Sequence, residues 1–111
     1  MPKVRHSLSR YSQEAVVLLG RLIREARLER RMTLDALAQR AGVSRSLVQR
    51  VEAGDGGCAI GSVFELAAIV GVPLFSPDPM VTRLAAASVE KSLQLLPRSA
   101  RPRTRAVNDD F

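Results

Sequence analysis

Between Ser44 and Glu52 four polar side chains, Arg45, Ser46, Gln49 and Arg50, recur at spacings of one and three residues, with Val48 and Val51 among them. On a helix starting at Ser44 this pattern turns the four away from the two valines, so they point outward. Their shared chemistry is directional hydrogen bonding. A guanidinium matches the O6 and N7 acceptors of guanine, a carboxamide matches N6 and N7 of adenine, and a hydroxyl suits several base edges. Each good bidentate pair is worth about 1 to 3 kcal/mol of discrimination. Arg45 or Arg50 is expected to read a guanine. Phosphate contact alone is the other reading for the two arginines, since half or more of protein–DNA hydrogen bonds go to the backbone.

Such a face needs elements that hold it at a fixed angle. Thr33 is a good N-cap for a short helix through Arg40, with Asp35 near its start, and Ser44 caps the next one, which runs to Ala53 and stops at Gly54. Between them Gly42 can take the left-handed conformation that ends a helix. Ala38 supplies a small residue where the helices cross, and Leu37, Val43, Val48 and Val51 supply the apolar contacts that set the angle. This is the spacing of a helix-turn-helix; an ordinary corner in a small helical bundle is the alternative. Amides at the helix starts, around Thr33 and Leu34 and at Ser44, are candidate phosphate sites, with Arg40 adding charge beside them.

Composition narrows the partner. The chain has 111 residues, 17 basic and 11 acidic, for a net charge of +6. That length suits a single domain, given roughly 100 to 200 residues per domain, and does not suit a catalytic domain with a regulatory one attached. From Met1 to Gly54 there are 11 basic and 5 acidic residues, from Asp55 to Leu96 2 basic and 4 acidic, and from Pro97 to Phe111 4 basic and 2 acidic. The positive field therefore belongs to the amino-terminal half, and double-stranded DNA is the partner it fits best. One Cys (Cys58) and one His (His6) cannot build a disulfide framework or a Cys/His metal cluster, and a reducing compartment, the cytoplasm, is expected. No apolar run exceeds the five residues of Ala15 to Leu19, far short of the roughly 20 residues of a membrane span. The first residues do not read as a signal peptide.

Ala, Leu, Arg and Glu dominate and no strand alternation is visible, so the elements should be helices. The first is expected from an N-cap at Ser12 to about Arg31, with Val16, Leu19, Ile23 and Ala26 as its core stripe. Val17, Leu18 and Leu22 widen that stripe toward a second apolar contact. Ile60, Val63, Ala67 and Val70 define a fourth helix, ended by Gly71. Its start is ambiguous, because Ser62-Val63-Phe64-Glu65 reads as a capping box while Ile60 already lies on the apolar period. Val72 to Phe75 should be extended, since Pro73 disfavours a helical neighbour. Asp78 as cap with Pro79 next opens a fifth helix to about Leu96, with Val81, Ala85, Val89, Leu93 and Leu96 in one stripe. Residues 1–11 read as an N-terminal arm, 12–75 as the helix-turn-helix domain, 76–96 as a C-terminal helix and 97–111 as a basic, Pro- and Arg-containing tail expected to be disordered.

Three stretches together resemble the Xre family, the Cro and phage-repressor type of bacterial regulators: Leu22-Ile23-Arg24-Glu25-Ala26-Arg27, Met32-Thr33-Leu34 with Leu37-Ala38, and Ala41-Gly42-Val43-Ser44-Arg45-Ser46 through Arg50-Val51-Glu52-Ala53-Gly54. The resemblance spans roughly Leu19 to Leu74. It implies an all-α, compact five-helix lambda-repressor-like domain with flexible N- and C-terminal arms, acting as a dimer on operator DNA with its third helix in the major groove. It also implies that Arg45, Ser46, Gln49 and Arg50 contact bases, and that Arg27 and Glu52 form a buried ion pair tying the first helix to the end of the third. A solvated surface pair is the bland alternative for those two. Many family members carry Gln where this chain has Leu34, which removes a polar contact near the DNA.

The layout further resembles HipB-like antitoxins, whose partners are HipA-like kinase toxins, through Ser9-Arg10-Tyr11, Val72-Pro73-Leu74-Phe75, the Val81 to Leu96 helix and the terminal Asn108-Asp109-Asp110-Phe111. For the tail, toxin binding, added DNA charge and plain solubility stand equal. Surplus apolar positions Val17, Leu18, Leu93 and Leu96 point to a homodimer, or to packing on one another within one chain. Catalysis is not expected. Cys58 lacks a His partner, the Gly54 to Gly57 loop is not followed by Lys-Ser or Lys-Thr, and no motif places paired carboxylates. No cofactor and no metal are expected. The reading is a transcriptional repressor, autoregulatory and in the antitoxin case paired with a toxin; a toxin-neutralising interaction module with secondary DNA binding is the alternative.

Overall fold

The computed structural model describes residues 7–100 and Pro102. His6, most of the expected basic tail and the terminal Asn108 to Phe111 lie outside the described residues. Five helices follow one another: α1 (Arg10–Glu29), α2 (Leu34–Ala41), α3 (Arg45–Glu52), α4 (Ile60–Val70) and α5 (Pro79–Gln94). No strand occurs among the described residues; one isolated bridge pairs Leu74 with Ser76. The chain divides into two compact units, residues 1–77 and 78–111.

The first unit holds α1 to α4 around one apolar interior of Ile23, Leu37, Ala38, Val48, Val51, Leu66, Ala67 and Val70. Each helix contributes at its own period, and α2 packs on both α3 and α4 while α1 packs on α3 and α4. Caps fix the short helices. The Thr33 hydroxyl accepts the Ala36 N–H at 3.0 Å and the Ser44 hydroxyl the Leu47 N–H at 3.0 Å, each satisfying an orphan donor of a first turn. Gly42 ends α2 at φ 69°, left-handed, which a side chain would oppose.

Four details differ from the sequence reading. The cap of α1 is Ser9, whose hydroxyl accepts the Ser12 N–H, so the helix starts at Arg10 rather than after Ser12. The cap of α4 is Ala59 without any side-chain bond, so Ile60 opens the helix and the Ser62 capping box is not used. Ile60 is nevertheless 69% exposed, and Leu66, at 0%, occupies the interior that the Ile60 period pointed to. Leu66 joins the common interior, and the first-turn Ile60 lies at its margin beside the Cys58 cleft. Phe75 is left-handed (φ 66°) and 93% exposed, so the connection after Pro73 is extended only in part. That conformation strains a residue with a Cβ by about 1 to 2 kcal/mol.

The second unit contains α5. Its cap is Asp78, whose carboxylate accepts the Met80 N–H at 2.9 Å, with Pro79 in the first helical position, where its missing N–H costs nothing. Every described residue of this unit is exposed, including Met80, Val81, Leu84, Val89, Leu93, Leu95 and Leu96.

Candidate nucleic-acid interface

The third helix is eight residues long and strictly two-sided. Val48 and Val51 are buried, Leu47 is half-buried, and Arg45, Ser46, Gln49 and Arg50 are exposed. The four expected base-contacting side chains thus share the solvent side of one helix. The phosphate candidates are exposed as well, Thr33 and Arg40 at the two ends of α2 and Ser44 at the start of α3. Leu34 differs: it is half-buried and packs on the interior, so only its backbone amide remains for an anion. The Thr33 and Ser44 hydroxyls accept as caps, which leaves each O–H as a donor to phosphate beside the remaining first-turn amides.

What holds α3 at its angle is largely α1. Gly20 is buried, and a Cβ at that position would overlap the Val51 carbonyl oxygen, so α1 and α3 meet backbone to backbone. The end of α3 is then covered by donors from α1. Gln13 Nε2 donates to the Gly54 carbonyl at 3.1 Å and Arg21 Nη1 to the Glu52 carbonyl at 2.5 Å. A cation at a helix C-terminus also complements its dipole. Arg27 completes the set: Nε and Nη2 grip the two Glu52 carboxylate oxygens at 2.7 and 2.9 Å, and Nη1 donates to the Met32 carbonyl at 2.8 Å. Their side chains are 8% and 6% exposed. Hydrogen bonding to Glu52 holds the Arg27 guanidinium above its ordinary pKa, against the opposing cost of burial. A buried bidentate pair of this kind costs about 3 to 5 kcal/mol to break by removing one partner.

Electrostatically, both arginines of the α3 face have carboxylate neighbours. Arg45 Nε lies 3.8 Å from Asp35, with both side chains mostly exposed, a loose pair worth no more than about 1 kcal/mol. Arg50 is held more firmly: its Nε donates to Asp55 Oδ2 at 3.0 Å. This bond is the main reason its pKa lies above the ordinary value, with the Cys58 and Asp55 charges adding to it. Cys58 is half-buried beside a cleft of about 250 Å³ lined also by Val16, Leu19, Val51, Ile60 and Phe64. Burial raises the Cys58 thiol pKa, Arg50 pulls it down and Asp55 pushes it up.

Sequence reasoning missed Gln13, Gly20, Arg21 and Asp55 as positioning residues. Gly20 carried a signal, because a glycine inside a strongly helical run marks close backbone approach. The others are single polar residues whose partners lie in another helix or a loop, and no spacing announces them.

Two short helices packed on each other and joined through a left-handed glycine, the second presenting a polar face to solvent, define a helix-turn-helix DNA-binding protein. Residues 18–74, just over half of the chain, match a family model described as a helix-turn-helix domain, and the chain belongs to that family. No curated protein and no solved structure matches the chain. No helix among the described residues is long and apolar enough to cross a membrane.

Proposed function

We propose that the chain is a sequence-specific transcriptional repressor of the Cro and phage-repressor type, reading operator DNA in the major groove through α3. One observation carries this reading. Arg45, Ser46, Gln49 and Arg50 are exposed together on a helix whose other side is locked by Val48, Val51 and the Arg27–Glu52 pair. Direct readout needs such a rigidly mounted row of side chains, since a loosely held face discriminates poorly. Arg40, exposed at the end of α2, adds the sequence-independent attraction to phosphates.

A homodimer completes the model, with α5 as its contact to a second copy. Val81, Ala85, Val89 and Leu93 form one exposed stripe of α5, with Leu96 exposed just beyond its end, and the charged residues Arg83, Glu90 and Lys91 lie off that stripe. An apolar strip of that length is unusual on a monomer's surface. Two recognition helices related by a two-fold axis would then sit about 34 to 36 Å apart, or a multiple of it, on a near-palindromic site.

The test is a base-preference profile from duplexes selected out of a randomised pool, with footprinting of the winners. Arg50→Ala is expected to lose preference at one position, and Arg40→Ala to weaken all sequences alike while lowering the salt slope by about 1. Equal losses on selected and random duplexes for both variants would remove the readout assignment. An asymmetric footprint from a monomer would remove the dimer.

A further inference from the structure

We infer that Asp55, in the loop after α3, is a positioning residue that sets the base preference of Arg50. The inference rests on the readout function proposed above and deepens it.

The Asp55 carboxylate bonds in two directions. Oδ1 accepts the Gly57 N–H at 2.8 Å, closing a tight turn that fixes the carboxylate on the backbone, and Oδ2 accepts Arg50 Nε–H at 3.0 Å. The Asp55 side chain is 27% exposed and that of Arg50 49%, so the pair lies at the edge of the outward face of α3 and is only partly bathed by water. The loop backbone is itself anchored. Gly54 donates to the Val51 carbonyl, Asp55 to the Arg50 carbonyl, and Gln13 from α1 caps Gly54.

An unrestrained arginine samples many rotamers, and each must be given up on binding. Here the side-on donor is engaged, which commits the fork to end-on presentation of Nη1 and Nη2, the two groups that span guanine O6 and N7. Arg45 offers the contrast. Its neighbour Asp35 is 3.8 Å away and exposed, too loose to orient a plane. Of the two arginines that sequence left equal as guanine readers, the geometry favours Arg50. A carboxylate beside a polyanion also repels it, so Asp55 lowers affinity for every duplex while raising selectivity.

The discriminating variant is Asp55→Asn. Its amide oxygen can still accept the Gly57 N–H, but its NH2 cannot accept from Arg50. Asp55→Ser serves as the second variant, because its hydroxyl can hold the turn yet is too short for Arg50. Full-length wild type, both variants and Arg50→Ala are compared by selection from a randomised duplex pool, with thermal melting as the check of folding. The expected result is that wild type prefers guanine at one position, and that both Asp55 variants lose about tenfold or more of that preference there alone. Their affinity for random duplex is expected to hold or rise. A guanine peak that Arg50→Ala abolishes and the Asp55 variants leave intact overturns the positioning role while sparing the readout function. A wild-type profile flat at every position overturns both.

Discussion

Helices α3 and α5 are both amphipathic, and they have opposite fates. The eight-residue α3 buries two valines and Glu52; the sixteen-residue α5, with more large apolar side chains, buries nothing. Length and hydrophobicity therefore do not decide which helix is packed. Neighbours do: α3 meets α1 backbone to backbone at Gly20 and is capped there by three α1 side chains, whereas α5 carries an apolar strip whose cover must come from elsewhere. Periodicity in a sequence shows that a helix has a face, and says nothing about what lies against it.

The sharpest way to break the contrast is to attack what holds α3. Glu52→Ala leaves the Arg27 charge buried without its partner and is expected to lower stability by about 3 to 5 kcal/mol, read as a fall in the denaturant midpoint. A change under about 1 kcal/mol would mean the pair contributes as little as a surface one. Gly20→Ala comes next, forcing the α1–α3 crossing apart at a cost of about 1 to 3 kcal/mol, with DNA selectivity falling as α3 shifts. Ser44→Ala removes the α3 cap for about 1 kcal/mol. On the other side of the contrast, Leu84→Ala should move the stability of dilute, unassociated chain by less than about 0.5 kcal/mol while weakening self-association, measured by sedimentation against concentration. A stability loss like that of a core leucine would show α5 to be packed in the monomer after all.

The smallest effect concerns Cys58. Its pKa is raised in the fold, chiefly by burial, so folding favours the neutral thiol. The associated stability is complete below the ordinary thiol pKa and is lost as pH rises through the folded value. Thiol-reactive disulfide reagents should therefore modify the native chain more slowly than the denatured chain at the same mildly alkaline pH. Arg50→Ala should slow the reaction further, because Arg50 pulls that pKa down.

Much of the fold was legible because local rules and tertiary needs agree. Thr33, Gly42, Ser44, Gly71 and Asp78 cap or end helices for reasons confined to a few neighbouring residues, and the apolar positions of α2 and α3 fall where the interior requires them. Misreadings occurred where two local signals competed. Ser9 and Ser12 both suit an N-cap, and the choice of Ser9 is accompanied by its bond to the Ser12 N–H and hydroxyl. Ile60 and Leu66 both satisfy a helical period, and only the packing of the shared interior leaves Ile60 exposed and buries Leu66. The outward polar face of α3 was legible for the same reason as its caps, while its electrostatic surroundings were not.

Sequence by itself determined the helical elements, the caps of α2, α3 and α5, the glycine turn and the polar side of α3, since each depends on bonds and periods within a dozen residues. Tertiary structure alone decided that Gly20 admits the α3 backbone, that Arg27 grips both oxygens of Glu52 in a buried rather than a solvated pair, and that Asp55 rather than solvent holds Arg50. Those contacts depend on distances between separately formed elements, which packing of the shared interior sets and no local propensity encodes.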